Sequence, residues 1–172
     1  TLCWIKRETR VWLEVTTLLI PGHNDSEWEV GELCKWMLNN LGPDVPLHFT
    51  AFHPDFKMLD VPPTPAATLI RARQQAMSSG LHHVYTGNVL DERGQSTCCS
   101  ECGALLIGRA GYHLRQWHLD HHGHCPNCGA RYYDLNKSPI LCPRCGTQFE
   151  VPTGRGRAAP TPAPEDEEEE VE

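Results

Sequence analysis

The chain has 172 residues and a formal net charge of −7. Seven carboxylates crowd into residues 165–172, and what remains carries 15 acidic and 15 basic groups, so overall charge excludes electrostatic capture by nucleic acid or an anionic membrane. No apolar run approaches the ~18 residues of a membrane span, and no basic stretch followed by an apolar one marks a secretion leader. The nine cysteines are therefore expected to work as thiols in a reducing cytoplasm rather than as disulfides.

Thr1 stands close to what reads as the end of a helix, so a fragment of a longer chain is expected. Residues 11–20 are β-branched and apolar on both faces, as in a buried parallel strand. Trp12, Glu14, Thr16 and Leu18 share one face of it, which is expected to line an interior. The more apolar face, with Val15 and Thr17, is expected to meet helices. Pro21-Gly22 ends the strand, and Asp25 or Ser26 can cap a helix to about Leu41. Val30, Leu33, Cys34, Met37 and Leu41 form its apolar stripe. A second strand is predicted over 47–52. A helix capped by Thr64 and opening on Pro65 follows, to about Ser79. A third strand is predicted over 82–86.

The order β-α-β-α-β implies a parallel sheet. Three strands leave both sheet edges unpaired, so the α/β part reads as a fragment of a parallel (β/α) barrel over residues 1–90. In such barrels the working groups lie at and beyond the C-terminal ends of the strands. Here those segments hold Asn24, His53 and Asn88. From residue 91 the periodicity gives way to Gly, Cys and His, a Cys-rich module expected over 91–150. Residues 151–172 are rich in Pro and Ala and then in Glu, which reads as a disordered acidic tail.

Three Cys-x-x-Cys-Gly turns carry the strongest chemical signal: Cys99/Cys102, Cys125/Cys128 and Cys142/Cys145. Each aims two thiolates at one point, and two turns complete a tetrahedral zinc ribbon. The gap from Cys102 to Cys125 is 22 residues, and that from Cys128 to Cys142 is 13. Loop closure favours the shorter by about half a kcal/mol, and residues 129–141 read as two short arms, so 125/128 with 142/145 is the expected site. Cys3 and Cys34 are expected to be small apolar residues, and Cys98 a spectator. His121, His122 and His124 could ligate metal, but thiolates suffice and a solvated loop is expected.

The runs LEVTTLLIPGHNDSEWEVGELCKWM, VPLHFTAFHPDFKMLDVPPT and GLHHVYTGNV resemble the C-terminal part of radical S-adenosylmethionine enzymes of the AmmeMemoRadiSam type, relatives of the pyruvate formate-lyase activating enzymes. The resemblance covers residues 1 to about 125. It implies S-adenosylmethionine and a [4Fe–4S] cluster in the full-length parent, with His53, in Thr50-Ala51-Phe52-His53, as a cofactor contact. Glu14 and Asn24 are the other expected binding residues, Glu14 with an internal hydrogen-bonding role as its alternative. The family's Cys-x-x-x-Cys-x-x-Cys cluster loop does not occur in this sequence, so no catalytic residue is expected in this chain and the fragment alone is expected to be inactive. The family's C-terminal extension also pairs two Cys-x-x-Cys turns, matched by Cys99/Cys102 and Cys125/Cys128.

From about His124 a second resemblance begins. CPNCGARYYDLNKSPILCPRCGTQFEV with its acidic tail resembles the FYDLN-acid zinc-ribbon proteins, which implies a 125/128–142/145 site. The two resemblances meet at 125–130, where a gene fusion or an assembly join would produce this chain. The substrate is an unidentified protein or small molecule. The alternative function is a non-enzymatic zinc ribbon that binds a partner. Nucleic acid is a poor candidate for that partner, because residues 98–150 hold five Lys/Arg and four Asp/Glu, too few cations for a phosphate-binding stripe.

Overall fold

A computed structural model describes residues 1–130. The predicted cysteine pair 142/145, the arms at 131–141 and the acidic tail lie outside the described residues. A short helix, α1 (Leu2–Glu8), leads into β1 (Val15–Leu19), α2 (Glu27–Asn40), β2 (Leu47–Ala51), α3 (Ala66–Ser78) and β3 (Val84–Gly87). The three strands form a parallel sheet in the order β1-β2-β3. Thr16, His48 and Tyr85 lie in one row across it, and Leu18, Thr50 and Gly87 in the next.

Each strand alternates between two environments. Leu19, Leu47, Phe49, Ala51 and Val84 are buried in one cluster with Val30, Cys34 and Met37 of α2 and Leu69, Ala72 and Ala76 of α3. Both helices therefore cover the same face of the sheet. The opposite face carries Glu14, Thr16 and Leu18 of the first strand region, His48 and Thr50 of β2, and Tyr85 of β3, all half-buried or exposed. This matches the assignment of faces from the sequence. Cys34 is fully buried in the core, and burial pushes its thiol pKa up.

The boundaries differ from expectation for identifiable reasons. β1 starts at Val15, not residue 11, because its first ladder bond runs from Val15 N–H to the Pro46 carbonyl (2.9 Å) and Pro46 has no N–H to extend the pairing. Ser26 caps α2 in a reciprocal capping box with Glu29, a device that satisfies two orphan N–H groups at once. Thr64 does not cap α3, which starts after Pro65. Instead its hydroxyl donates to the Leu19 carbonyl (2.6 Å) and accepts from the Phe52 N–H (3.0 Å), binding the C-terminal ends of β1 and β2 together.

Beyond β3, one helical turn, α4 (Glu92–Gln95), leads to an antiparallel sheet of β4 (Thr97–Cys98), β5 (Leu105–Ala110) and β6 (His113–Trp117) in that order. The β5–β6 hairpin was not predicted. Its two-residue turn places Gly111 at φ +57°, the left-handed conformation such turns demand. The two sheets are tied at α4. The Asp91 carboxylate accepts from the Gly94 N–H and from the Thr86 hydroxyl, both at 3.0 Å. A Cβ at Gly94 would collide with both side chains.

Phe49 is the largest fully buried side chain, at the centre of the middle strand. Truncation of a buried Phe costs about 3–5 kcal/mol, a large part of a small domain's stability. Phe49→Ala is expected to abolish or sharply broaden the cooperative denaturant transition followed by far-UV circular dichroism. An unchanged midpoint would contradict this core.

Candidate metal centre and polar cavity

The structure gathers Cys99, Cys102, Cys125 and Cys128, with all four sulfurs within 4.8 Å of one another. The distances Cys99 Sγ–Cys128 Sγ and Cys102 Sγ–Cys125 Sγ are both 3.6 Å. Thiolates at ~2.3 Å from a tetrahedral zinc stand about 3.8 Å apart, so the donor set fits that ion in number, chemistry and spacing.

The two turns that supply the thiols are copies of one another. In the first, Gly103 N–H donates to the Cys99 carbonyl (3.0 Å) and Cys99 N–H to the Ala104 carbonyl (2.8 Å). In the second, Gly129 N–H donates to the Cys125 carbonyl and Cys125 N–H to the Ala130 carbonyl, both at 2.8 Å. Gly103 and Gly129 take φ +72° and +74°, where a side chain would be strained.

Electrostatics separates the thiols before any metal arrives. Burial pushes Cys125 up, but the Cys128 and Asn127 N–H groups and the neighbouring thiols outweigh it and bring its pKa down to about 7. Cys128 receives the Ala130 N–H, yet burial and the other three sulfurs push it up to about 12. Cys102 is also raised, burial and the sulfurs of Cys125 and Cys99 outweighing the Ala104 N–H. Cys125 thus ionises more readily than Cys102 or Cys128.

Among the described residues Cys125 and Cys128 meet Cys99 and Cys102, while the 142/145 half of the pairing expected from loop length lies outside them. The β5–β6 hairpin brings the two described pairs together. It pairs residues 105–110 with 113–117, so the 22-residue gap is not a free loop and its closure entropy is met by the ladder. Among the described residues, Cys98 and the nearby histidines lie outside the cluster. His121 and His122 are exposed. The loop is organised instead by Asp120, which accepts from the His122 and His124 N–H groups, both at 2.8 Å. Led by the His124 N–H, these contacts lower its pKa.

A second feature lies on the open face of the parallel sheet. A cavity of about 740 Å³ is bounded by Glu14, His48, Tyr85, Asn88, Thr97 and Arg109, among others. Glu14 Oε2 is 2.8 Å from His48 Nε2, and Glu14 Oε1 accepts from the Trp12 indole at 2.7 Å. The His48 and Tyr85 rings stack with centroids 5.1 Å apart. Tyr85 Oη is 3.1 Å from Thr97 Oγ1, which accepts from Arg109 Nη1 at 2.8 Å.

Of the three expected cofactor residues, only Glu14 lines this cavity. Asn24 closes its own turn, accepting from the Ile20 N–H (2.7 Å) and donating to the Leu18 carbonyl (2.9 Å). His53 is exposed beyond β2 and does not line the cavity. His48, Tyr85 and Arg109 were not singled out from the sequence. For the first two, alternation along β2 and β3 was a usable signal, while Arg109 needed the missed hairpin.

The fold and sites define a mixed α/β protein with a parallel sheet and a four-cysteine, zinc-ribbon-like module. The family of FYDLN-acid proteins, of unknown function, matches residues 120–172. An uncharacterized protein of Methanocaldococcus jannaschii is 41% identical over 130 residues, 75% of this chain and 39% of its own length. The chain thus spans about two fifths of that relative. No solved structure matches. Among the described residues, no helix is long and apolar enough to cross a membrane.

Two outcomes follow for the metal. The full chain is expected to lose tight zinc when Cys99 and Cys102 are replaced by Ser, and to keep it when Cys142 and Cys145 are, as measured by metal content after dialysis against a weak chelator. The reverse pattern would transfer the site to the other pair. Zinc affinity should also fall with falling pH, most steeply below about 7, because a thiol must lose its proton to bind and Cys125 then also holds its own. Buffer-dependent calorimetry above that pH should show protons released from Cys102 and Cys128. An affinity flat from pH 8 to pH 6, measured at about those values, would contradict the assignment.

Proposed function

We propose that this chain is the C-terminal part of a radical S-adenosylmethionine enzyme of the AmmeMemoRadiSam type. In it, the parallel sheet supplies one wall of the substrate chamber and the zinc ribbon serves as a structural cap. The observation that carries the reading is the single-sided winding of the sheet. Both helices lie behind it, and the uncovered face bears a carboxylate, an imidazole and a phenol in one hydrogen-bonded and stacked array. A polar face of this kind suits the inside of a barrel, where ligand chemistry is done. The resemblance in the runs around Glu14, His53 and His83 and the longer relative, of which this chain covers 39%, support the same reading.

The residues present do not fit an iron–sulfur cluster of that family, since the cysteine triad is absent from the sequence. No cleavage of S-adenosylmethionine is therefore assigned to them. What these residues can do is bind and orient. The Glu14–His48 pair can hold a proton between carboxylate and imidazole at the chamber wall, and the Tyr85–Thr97 contact fixes the phenol. His53, at the mouth beyond β2, is the proposed contact to S-adenosylmethionine. The substrate is a small molecule or a residue on a partner protein.

A second reading, a ribbon that binds a protein partner without catalysis, is favoured by one observation. β6 is exposed along its whole length, with Leu114 58% and Trp117 59% accessible.

Anaerobic reconstitution with iron and sulfide tests the first reading. The 172-residue chain is expected to form no product 5′-deoxyadenosine, and the full-length M. jannaschii relative is expected to form it. A relative that holds no cluster and cleaves no S-adenosylmethionine would sink the proposal. So would cleavage by this chain alone.

A further inference from the structure

Arg109 is the part of the cavity that the metal centre and the sheet face leave unexplained. It lies on β5, where the pairing with β6 shifts register between Gly108 and Arg109 and Arg115 is skipped. Such irregularities re-aim a side chain away from the regular alternation. Its backbone N–H leaves the ladder and donates to the Ser96 hydroxyl at 3.0 Å. Its side chain is half-buried against the cavity. Nη1 is fixed by the Thr97 hydroxyl at 2.8 Å and the Gln95 carbonyl at 3.4 Å. Among the described residues no carboxylate forms an ion pair with this guanidinium, and Nε and Nη2 take no hydrogen-bond acceptor. The cavity's own carboxylate, Glu14, is engaged by His48 and Trp12.

A partly desolvated cation ordinarily acquires a counter-ion. Here it is instead oriented by two neutral acceptors on one nitrogen at a position lining the cavity, and the rest of the planar fork takes no acceptor among the described residues. That fork matches a carboxylate or phosphate in shape and charge. We propose that Arg109 forms an anion subsite in this cavity, taking the carboxylate or phosphate group of a small ligand, with Thr97 as its positioning residue. Glu14, on the same cavity wall, disfavours a second negative group and favours a hydroxyl or ammonium elsewhere on the ligand. The subsite deepens the reading of this face as a binding chamber but does not depend on radical chemistry. Its failure would leave the 5′-deoxyadenosine assay unaffected, and failure of that assay would not touch it.

The test is a titration of the zinc-loaded 172-residue chain with inorganic phosphate and, separately, with acetate, followed by amide chemical shifts in ¹H–¹⁵N spectra. Saturable shifts are expected at Tyr85, Thr97 and Arg109, with a dissociation constant of about 1–10 mM for one charge-assisted contact. Arg109→Gln should weaken binding at least tenfold, and Arg109→Lys should retain part of it, because charge survives while the fork does not. Thr97→Val should weaken it several-fold at unchanged zinc content, which guards against a folding defect in the Arg109 variants. Preference for phosphate or for acetate identifies the group recognised. Absence of saturable shifts with both probes, or equal binding by Arg109→Gln, would overturn the proposal.

Discussion

The fold depends on where the two helices must go. A parallel strand can be joined to the next only by a crossover, and successive crossovers of one hand that advance in one direction put every helix on one side. The order β1-β2-β3 advances in one direction, so α2 and α3 share a face and bury Phe49, Leu47 and Leu69 between them and the sheet. The opposite face is left without helices. Its side chains need not be apolar, and Glu14, His48, Thr50 and Tyr85 occupy it. The chemistry of the cavity is thus a by-product of winding, since a sheet wound on both sides would have had to fill those positions with aliphatic residues.

The ribbon follows a different economy. Its buried cluster is small, built around Cys99, Leu106, Ile107 and Cys125, too little apolar surface to hold three short strands by itself. A metal held by the four sulfurs would supply what the core lacks, as in other small metal domains where binding and folding are one process. The same hairpin bears Arg109 and Thr97 on its way to the cysteines, and the Asp91 latch fixes its start to β3. Whatever holds the four sulfurs together also holds that edge of the cavity in place.

Much of this was legible in the sequence. The two helices, the three parallel strands and the assignment of Glu14 and Thr16 to the open face came from periodicity, because burial on one side imposes it directly. The cysteine turns were legible because spacing alone defines the knuckle. What escaped was set by tertiary partners. The start of β1 is fixed by a proline thirty residues away, and Thr64 is drawn from the helix cap to the strand ends. The β5–β6 hairpin that joins the 99/102 and 125/128 turns was hidden in a stretch rich in Gly and His, where Ala110-Gly111-Tyr112-His113 was the available signal. Asn24 looked like a ligand-binding side chain at a strand end, but its amide is spent on the turn's own backbone. Short polar side chains in tight turns meet this fate often, since the nearest backbone groups compete with any ligand.

β1 pairs only with β2 among the described residues, so its outer edge presents N–H and C=O groups in a row, flanked by the accessible Trp12 and Leu18. An open edge of this kind is a template for adding strands from other molecules. The seven carboxylates of residues 165–172 bear on that hazard through their charge. They move the chain from near neutrality to a net charge of −7, and like-charged molecules keep their distance in solution where neutral ones coalesce. Net charge of this kind disfavours association of neighbouring molecules. Its effect is strongest at low ionic strength and fades as salt shortens the reach of the repulsion.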